Sequence, residues 1–227
     1  PENQYVSNGV TFMSRNLGDL TGGAVDGYSA PCLYQWGRKD PLAGNNWSEY
    51  PWMAGYVYDG VGKTSTSSMP STCSTDATAN MVSSIQNPLK GLKDVYGAPN
   101  YRYTYDWLSD VPGLASDRWC NEDGTKSPFD PCPEGWCVPA DKNGLFAWNG
   151  LDKATTDYSP LGVFPYAGFR YRVGGGCLKN SGFNTGIWTQ DTYQLSIYII
   201  PYDQRPSIKR DRGYRSDGYS VRCAKDE

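Results

Sequence analysis

Glycine and proline set the tightest limit on how this chain can fold. Twenty-six Gly and sixteen Pro are spread through 227 residues, and each costs a helix interior about 1 or about 3 kcal/mol relative to Ala. Long helices are therefore disfavoured, and short strands joined by turn-rich loops are expected. Eighteen Tyr and eight Trp stand against six Phe and four Met, so much of the apolar volume carries a polar edge, which suits shallow cores and binding faces. With 38% hydrophobic and 20% charged residues, residues 1–227 suit one large globular domain.

Local patterns fill in this outline. Residues 10–17 (VTFMSRNL) alternate well enough for a strand, and 33–36 give a second apolar patch before the turn-rich GRKDPLAGNN. Over about 43–105 the composition shifts, with the Ser/Thr-rich KTSTSSMPSTCSTDATAN between aromatic patches. That stretch reads as a long surface insertion with a short helix over 78–86. A second short helix is expected over 141–151, with Asp141 as its N-cap and Gly144 and Gly150 limiting its length.

Residues 163–173 alternate after Pro165 and predict a strand ending at a glycine turn over 174–176. Tyr193, Leu195, Ile197 and Ile199 fall on one face of a further strand, with Gln194, Ser196, Tyr198 and Ile200 on the other. Tyr219, Val221 and Cys223 alternate with Ser220 and Arg222, so the C-terminal end is expected to be a buried sheet strand. No internal repeat is present, and the pattern is that of an α+β fold with few helices and long loops.

Histidine is absent, which removes the usual general base and the commonest metal ligand. Ser-His-Asp, Cys-His and His-zinc chemistry are excluded; carboxylates, lysines and cysteines remain as alternatives. A net charge of −3 and a pI near 5.1 argue against a nucleic-acid partner, since phosphate binding draws on a basic excess. Seven Cys occur, at 32, 73, 120, 132, 137, 177 and 223, without a CxxC. Disulfides in an exported protein are the better reading than metal ligation, and spacing leaves their connectivity open. No run of eighteen apolar residues occurs, so no membrane insertion is expected. A start at Pro1 without a leader is expected of a processed product or an excised piece.

The segment 187–223 concentrates side chains of another kind. Gln190, Asp191, Tyr193, Tyr198, Tyr202, Asp203, Arg205, Arg210, Arg212, Tyr214, Arg215 and Asp217 lie between two short apolar strand patterns. Tyr and Arg give large contact area and adaptable hydrogen bonds at modest entropic cost. A ligand-binding face at about 187–217 is therefore expected. The plainer alternative is a set of solvated loop residues, with Arg210, Asp211 and Arg212 pairing among themselves at the surface, where ion pairs contribute little. Trp36, Trp136, Trp148 and Trp188 are read as structural, whereas Trp47 and Trp52 in NNWSEYPW lie in a loop suited to stacking on a sugar ring.

Four segments in order, VTFMSRNLGDL (10–20), LYQWGRKDP (33–41), SPFDPCPEGWCVP (127–139) and AGFR to GIWT (167–189), are closed by GYSVRCAKD (218–226). Together they frame nearly the whole chain and resemble the major paralogous domain family of Bacteroidetes surface proteins. The resemblance implies a C-type-lectin-like fold, related to the formylglycine-generating sulfatase-modifying proteins, with the ligand face built by the C-terminal strands and loops. It further implies pairing of Cys132 with Cys223, and a place at the distal end of fimbrial or lipoprotein adhesins at the cell surface. Two departures stand out: Cys137 replaces the family's Arg after Gly-Trp, and the Glu-Trp that starts the family's helix is replaced around 142–146. The chain is also similar to the variable proteins of diversity-generating retroelements, which use this fold and randomise residues near the C terminus.

These comparisons frame the expected function: a non-enzymatic domain recognising a protein or glycan on another cell or host surface, alongside pilus or surface-lipoprotein subunits. A structural pilus tip subunit without a ligand is the alternative. A cysteine-dependent oxidase ranks below both, since it would need a reactive pair from Cys177 and Cys223 with Lys179 or Arg222 nearby. The sugar motifs of calcium-dependent lectins are missing. No cofactor is expected, with a structural calcium left open at 121–124 or 106–110.

Overall fold

The computed structural model describes residues 4–7, 9–18, 32–41, 56–58, 63–65, 82, 84–86, 106–108, 118–121, 123–140, 168–171, 178–179, 184–190, 193–199 and 206–226. In chain order the strands are β1 (Gln4–Ser7), β2 (Val10–Met13), β3 (Tyr34–Gln35), β4 (Tyr56–Tyr58), β5 (Lys63–Ser65), β6 (Trp136–Cys137) and β7 (Phe169–Arg170). They continue as β8 (Leu178–Lys179), β9 (Asn184–Trp188), β10 (Tyr193–Ile199), β11 (Pro206–Arg212), β12 (Gly218–Tyr219) and β13 (Ala224–Lys225). Helical backbone among the described residues is confined to Val82 and 84–86. The chain is thus a sheet-rich mixed fold of short strands, as its Gly and Pro content requires. The helix expected over 141–151 and most of the 43–105 stretch lie outside the described residues.

The strands pair in four groups: β1-β2-β13-β6, β3-β12-β7-β8, β11-β10-β9 and the separate hairpin β4-β5. The first two groups join the chain's ends to its middle, since Ala224 pairs with both Phe12 and Cys137, and Gly218 with both Gln35 and Arg170. β9 links the third group to the second, through the bridge Ile187↔Ser220 and the bonds Trp188 N to Ser220 O (2.9 Å) and Ser220 N to Gly186 O (3.0 Å). The C-terminal segment is covered on both sides, because Val221, Arg222 and Cys223 are all fully buried. A disulfide joins Cys132 to Cys223, the pairing expected above.

The core is built from tryptophans whose ring N–H groups tie distant loops together. Trp36, Trp119, Trp188 and Tyr219 form a chain of ring contacts with centroids 5.7, 6.4 and 4.7 Å apart. Each buried indole donates to a main-chain carbonyl: Trp36 to Thr189 (3.1 Å), Trp107 to Trp36 (2.8 Å), Trp119 to Arg38 (3.2 Å) and Trp188 to Tyr34 (2.7 Å). A buried carbonyl left without a donor costs about 1–3 kcal/mol, so these rings supply packing and satisfy loop backbone at once. For these four tryptophans the polar edge, read from composition as suiting shallow cores and binding faces, is spent inside the core.

Asp130 anchors the segment that leads into β6. Its carboxylate accepts from the amides of Cys132 (2.7 Å) and Val138 (2.8 Å), with the Lys126 ammonium 3.8 Å away. Burial pushes its pKa up to about 6, against the pull of the two amides and Lys126. A carboxyl raised in the folded state contributes stability that is full below its unfolded pKa and lost as pH rises through the folded one. Asp130 therefore weakens the fold between about pH 4 and pH 6. Carboxyl-carbon NMR should show Asp130 titrating near pH 6, while Asp123, held by the Thr125 hydroxyl and amide, titrates below the ordinary aspartate range.

Candidate ligand-binding face

The sequence segment expected to carry recognition folds as an antiparallel hairpin followed by a clamped descent into the core. β10 pairs along its whole length with β11, Tyr193 opposite Arg212, Leu195 opposite Arg210 and Tyr198 opposite Ser207. Its other edge pairs with β9, Leu195 opposite Ile187 and Ser196 opposite Gly186. β11 was not expected as a strand, because PSIKRDR has no alternating apolar face. Its ladder is supplied by β10, and its run of charge suits a sheet edge, where Lys, Arg and Asp discourage further strand pairing. Tyr193, Tyr198, Arg210 and Arg212 thus belong to one two-stranded ladder. Asp191, Tyr202, Asp203 and Arg205 lie outside the described residues.

From Gly213 onward the chain is locked. Gly213 is buried against Trp188, and a Cβ there would overlap the indole at Cζ3 and Cη2. Arg215 O accepts from Trp36 N (3.2 Å), Ser216 O from Gln35 Nε2 (2.7 Å), and Tyr214 O from Asp217 N (2.8 Å). Between these ties Tyr214 keeps 37% of its surface exposed. Replacing Gly213 by Ala forces the Trp188 ring or the backbone to shift, at a cost of about 1–3 kcal/mol. Chemical denaturation of Gly213→Ala beside wild type measures it directly.

Two residues expected on the binding face are turned inward instead. Asp217 is 1% exposed and accepts a hydrogen bond from the Tyr219 hydroxyl (3.3 Å). It therefore cannot set the charge specificity of a surface. Arg215, with 11% of its side chain exposed, reaches Asp106 (2.8 Å) and lies over the Trp36 ring, its guanidinium carbon 4.2 Å from the centroid. The physical reason is the same for both: the turn at 214–217 leaves Tyr214 exposed and carries the three residues after it inward, and the sequence does not show which side the core covers. Gln190 is half-buried in a turn whose amide bonds Pro139 O (3.0 Å).

Beneath Tyr214 lies a cation-aromatic cluster that no motif announced. Asp106, 3% exposed, receives Arg118 and Arg215 on one carboxylate oxygen and the Leu108 amide (3.0 Å) on the other. The Arg118 guanidinium carbon stands 5.1 Å from the Trp36 centroid and 5.0 Å from that of Trp107, and Arg38 stands 5.7 Å from Trp107. Arg38 also donates to Gln35 Oε1 (2.8 Å). Burial alone would raise the pKa of Asp106; Arg118 and then Arg215 outweigh it and hold the carboxyl below its ordinary value.

Gly37, at φ +78°, brings the backbone against the Arg118 side chain, so the QWGR turn and the guanidinium stack are one unit. With both oxygens committed to N–H donors and two cations beside it, Asp106 is not a calcium ligand. In the 121–124 turn, Asp123 spends its Oδ1 on Thr125. Among the described residues no group of three or more acidic or Cys side chains is placed to hold a metal ion.

The cysteines constrain chemistry in the same region. Cys223 is committed to its disulfide, so it cannot join Cys177 as a reactive thiol pair; Cys73 and Cys177 lie outside the described residues. Trp47, Trp52 and Trp148 do so as well. Among the described residues no helix is long and apolar enough to cross a membrane. Comparison of the chain with protein-family models, with curated proteins and with solved structures yields no match.

Proposed function

We propose that the chain is a C-type-lectin-like, surface-displayed recognition domain that binds a protein or glycan ligand without chemistry, through the β10–β11 hairpin and Tyr214. The observation that carries this reading is the exposed Tyr214 on a segment immobilised by Gly213 against Trp188 and by three hydrogen bonds to its carbonyls. A large amphipathic ring held rigid before contact loses little entropy on binding, which is how a surface converts area into affinity. The Tyr193–Arg212 rung and Arg210 two rungs along bring further recognition-type residues onto the same hairpin. Arg215 and Asp217 act as its foundation rather than as contacts.

The test is a screen of the purified chain against glycan arrays and surface-protein extracts, with calcium and with chelator. Tyr214→Ala and the triple variant Tyr202→Ala, Arg212→Ala, Tyr214→Ala are run beside wild type. Tyr214→Ala is expected to weaken binding about thirtyfold, about 2 kcal/mol for an aromatic hot spot, with the melting temperature unchanged. Binding that survives the triple variant would overturn the proposed face. A folded chain that binds nothing would favour a structural role in a surface assembly.

A further inference from the structure

β11 is the outermost strand of its sheet. All seven of its residues are matched to β10 on one edge, from Pro206 opposite Ile199 to Arg212 opposite Tyr193. Its other edge has no strand partner among the described residues. An edge strand turns alternate N–H and C=O groups away from its one neighbour, and these form a template for a further strand. The template is firmly mounted. β10 pairs in turn with β9, β9 is bonded to the core segment at Ser220, and directly beyond Arg212 the chain is packed at Gly213 against Trp188.

Charge decides what this edge accepts. The chain as a whole is acidic, with 24 Asp and Glu against 21 Lys and Arg. β11 reverses that balance, carrying Lys209, Arg210 and Arg212 against the single acid Asp211. Alternate residues of a strand share a face, so Ile208, Arg210 and Arg212 hold register positions on one face and Ser207, Lys209 and Asp211 on the other. Pairing β11 with a second copy of itself sets basic strand against basic strand, and like charges across a ladder are destabilising. The charges that deter such a copy select a strand of the opposite sign.

We propose that this edge takes up an extended acidic segment of a protein ligand, which adds to β11 as an antiparallel strand with acids opposite Arg210 and Arg212. The inference rests on the recognition reading above and narrows its ligand from protein or glycan to a peptide strand. In strand addition the main-chain bonds supply affinity and the alternating side chains supply choice. Opposite charges at facing positions of a ladder favour one another, the antiparallel sense is the more stable per residue, and a basic strand steers an acidic segment toward it. From the position opposite Arg212 the segment reads acid, any residue but an acid, acid, any residue, aliphatic, the last of these opposite Ile208. Extended past Arg212, it runs toward Tyr214, which is two residues further along and 37% exposed.

Fluorescence anisotropy tests this with the labelled peptide Glu-Thr-Glu-Thr-Val-Thr-Thr, its counterpart with Lys in place of both Glu, and two N-methylated forms of the acidic peptide. One form is methylated at the odd residues and the other at the even ones, because only alternate amides of an added strand face β11. The acidic peptide is expected to bind, less tightly as salt is raised, with the Lys peptide about tenfold weaker. Only one of the two methylated forms is expected to lose binding. In the charge-reversed chain Arg210→Glu, Arg212→Glu the preference is expected to invert in favour of the Lys peptide. No binding by the acidic peptide, equal binding by its Lys counterpart, equal effects of both methylation patterns, or a preference unchanged in the charge-reversed chain would overturn the inference. If the array and extract screen then still finds a ligand that Tyr214→Ala loses, a glycan included, the recognition reading stands and only the acidic strand falls.

Discussion

Replacing Asp106 by Asn is expected to cost about 3–5 kcal/mol of stability, the range found when one partner of a buried ion pair is removed and the other is left uncompensated. Here two guanidiniums are left. Arg118 and Arg215 converge on a single Asp106 oxygen, and both are stacked on Trp36 where water cannot replace the lost anion. The effect should depend on pH in a defined direction. A carboxyl held below its ordinary value stabilises the fold fully above the unfolded pKa, and that contribution is lost as pH falls through the folded one.

Urea denaturation of wild type and Asp106→Asn should therefore show a wide gap near neutrality that narrows only below about pH 4. A gap that stays constant through that range would mean that packing, not charge, accounts for the loss. Because Arg215 also anchors the segment bearing Tyr214, the same variant should loosen the proposed binding face. Tyr214→Ala should not affect Arg215 in return.

The second large effect is expected from removing the Cys132–Cys223 disulfide. The bond joins positions 91 residues apart, and a loop of that length restricts the unfolded chain by about 4–5 kcal/mol in the entropic account. Both cysteines are buried in the main cluster with Val138, Trp188 and Val221. The double variant Cys132→Ala, Cys223→Ala is expected to lose about 2–5 kcal/mol, a fall in melting temperature on the order of 10 °C for a chain of this size. β13 would be the first casualty, since β2 and β6 hold it through Ala224 and Lys225 and the Asp226 amide reaches Gly135 O (3.0 Å). A melting temperature within a degree or two of wild type would show that this sheet carries itself without the cross-link.

The two predictions draw on different kinds of information. The cysteine pairing was expected from the resemblance drawn on SPFDPCPEGWCVP and GYSVRCAKD, whereas cysteine spacing alone left the connectivity open. Asp106 was not legible as a structural anchor. It lies 109 residues from Arg215 and 12 from Arg118, and no local pattern distinguishes a carboxylate awaiting two arginines from one in a solvated loop. The same blindness affected 210–217, where Arg and Asp alternate. As sequence, the segment offers four charged contacts; in the structure Arg210 and Arg212 belong to the edge strand β11, while Arg215 and Asp217 turn inward.

What the sequence by itself determined is the kind of chain this is. Its Gly and Pro content disfavours long helices on propensity alone, its lack of His removes the commonest catalytic and metal chemistries, and its alternation points to strands within 10–17 and over 193–199, whereas the strand expected over 219–223 is split into β12 and β13 with buried 221–223 between them. Those conclusions need only local energetics and residue chemistry, which any stretch of sequence carries with it. Only the tertiary structure decided which polar residues are scaffold and which are surface. Whether a side chain such as Arg215 meets water depends on what covers it, and here the cover comes from Trp36 and Asp106, brought in from elsewhere in the chain. Period is written locally, but burial is a property of the whole packed chain.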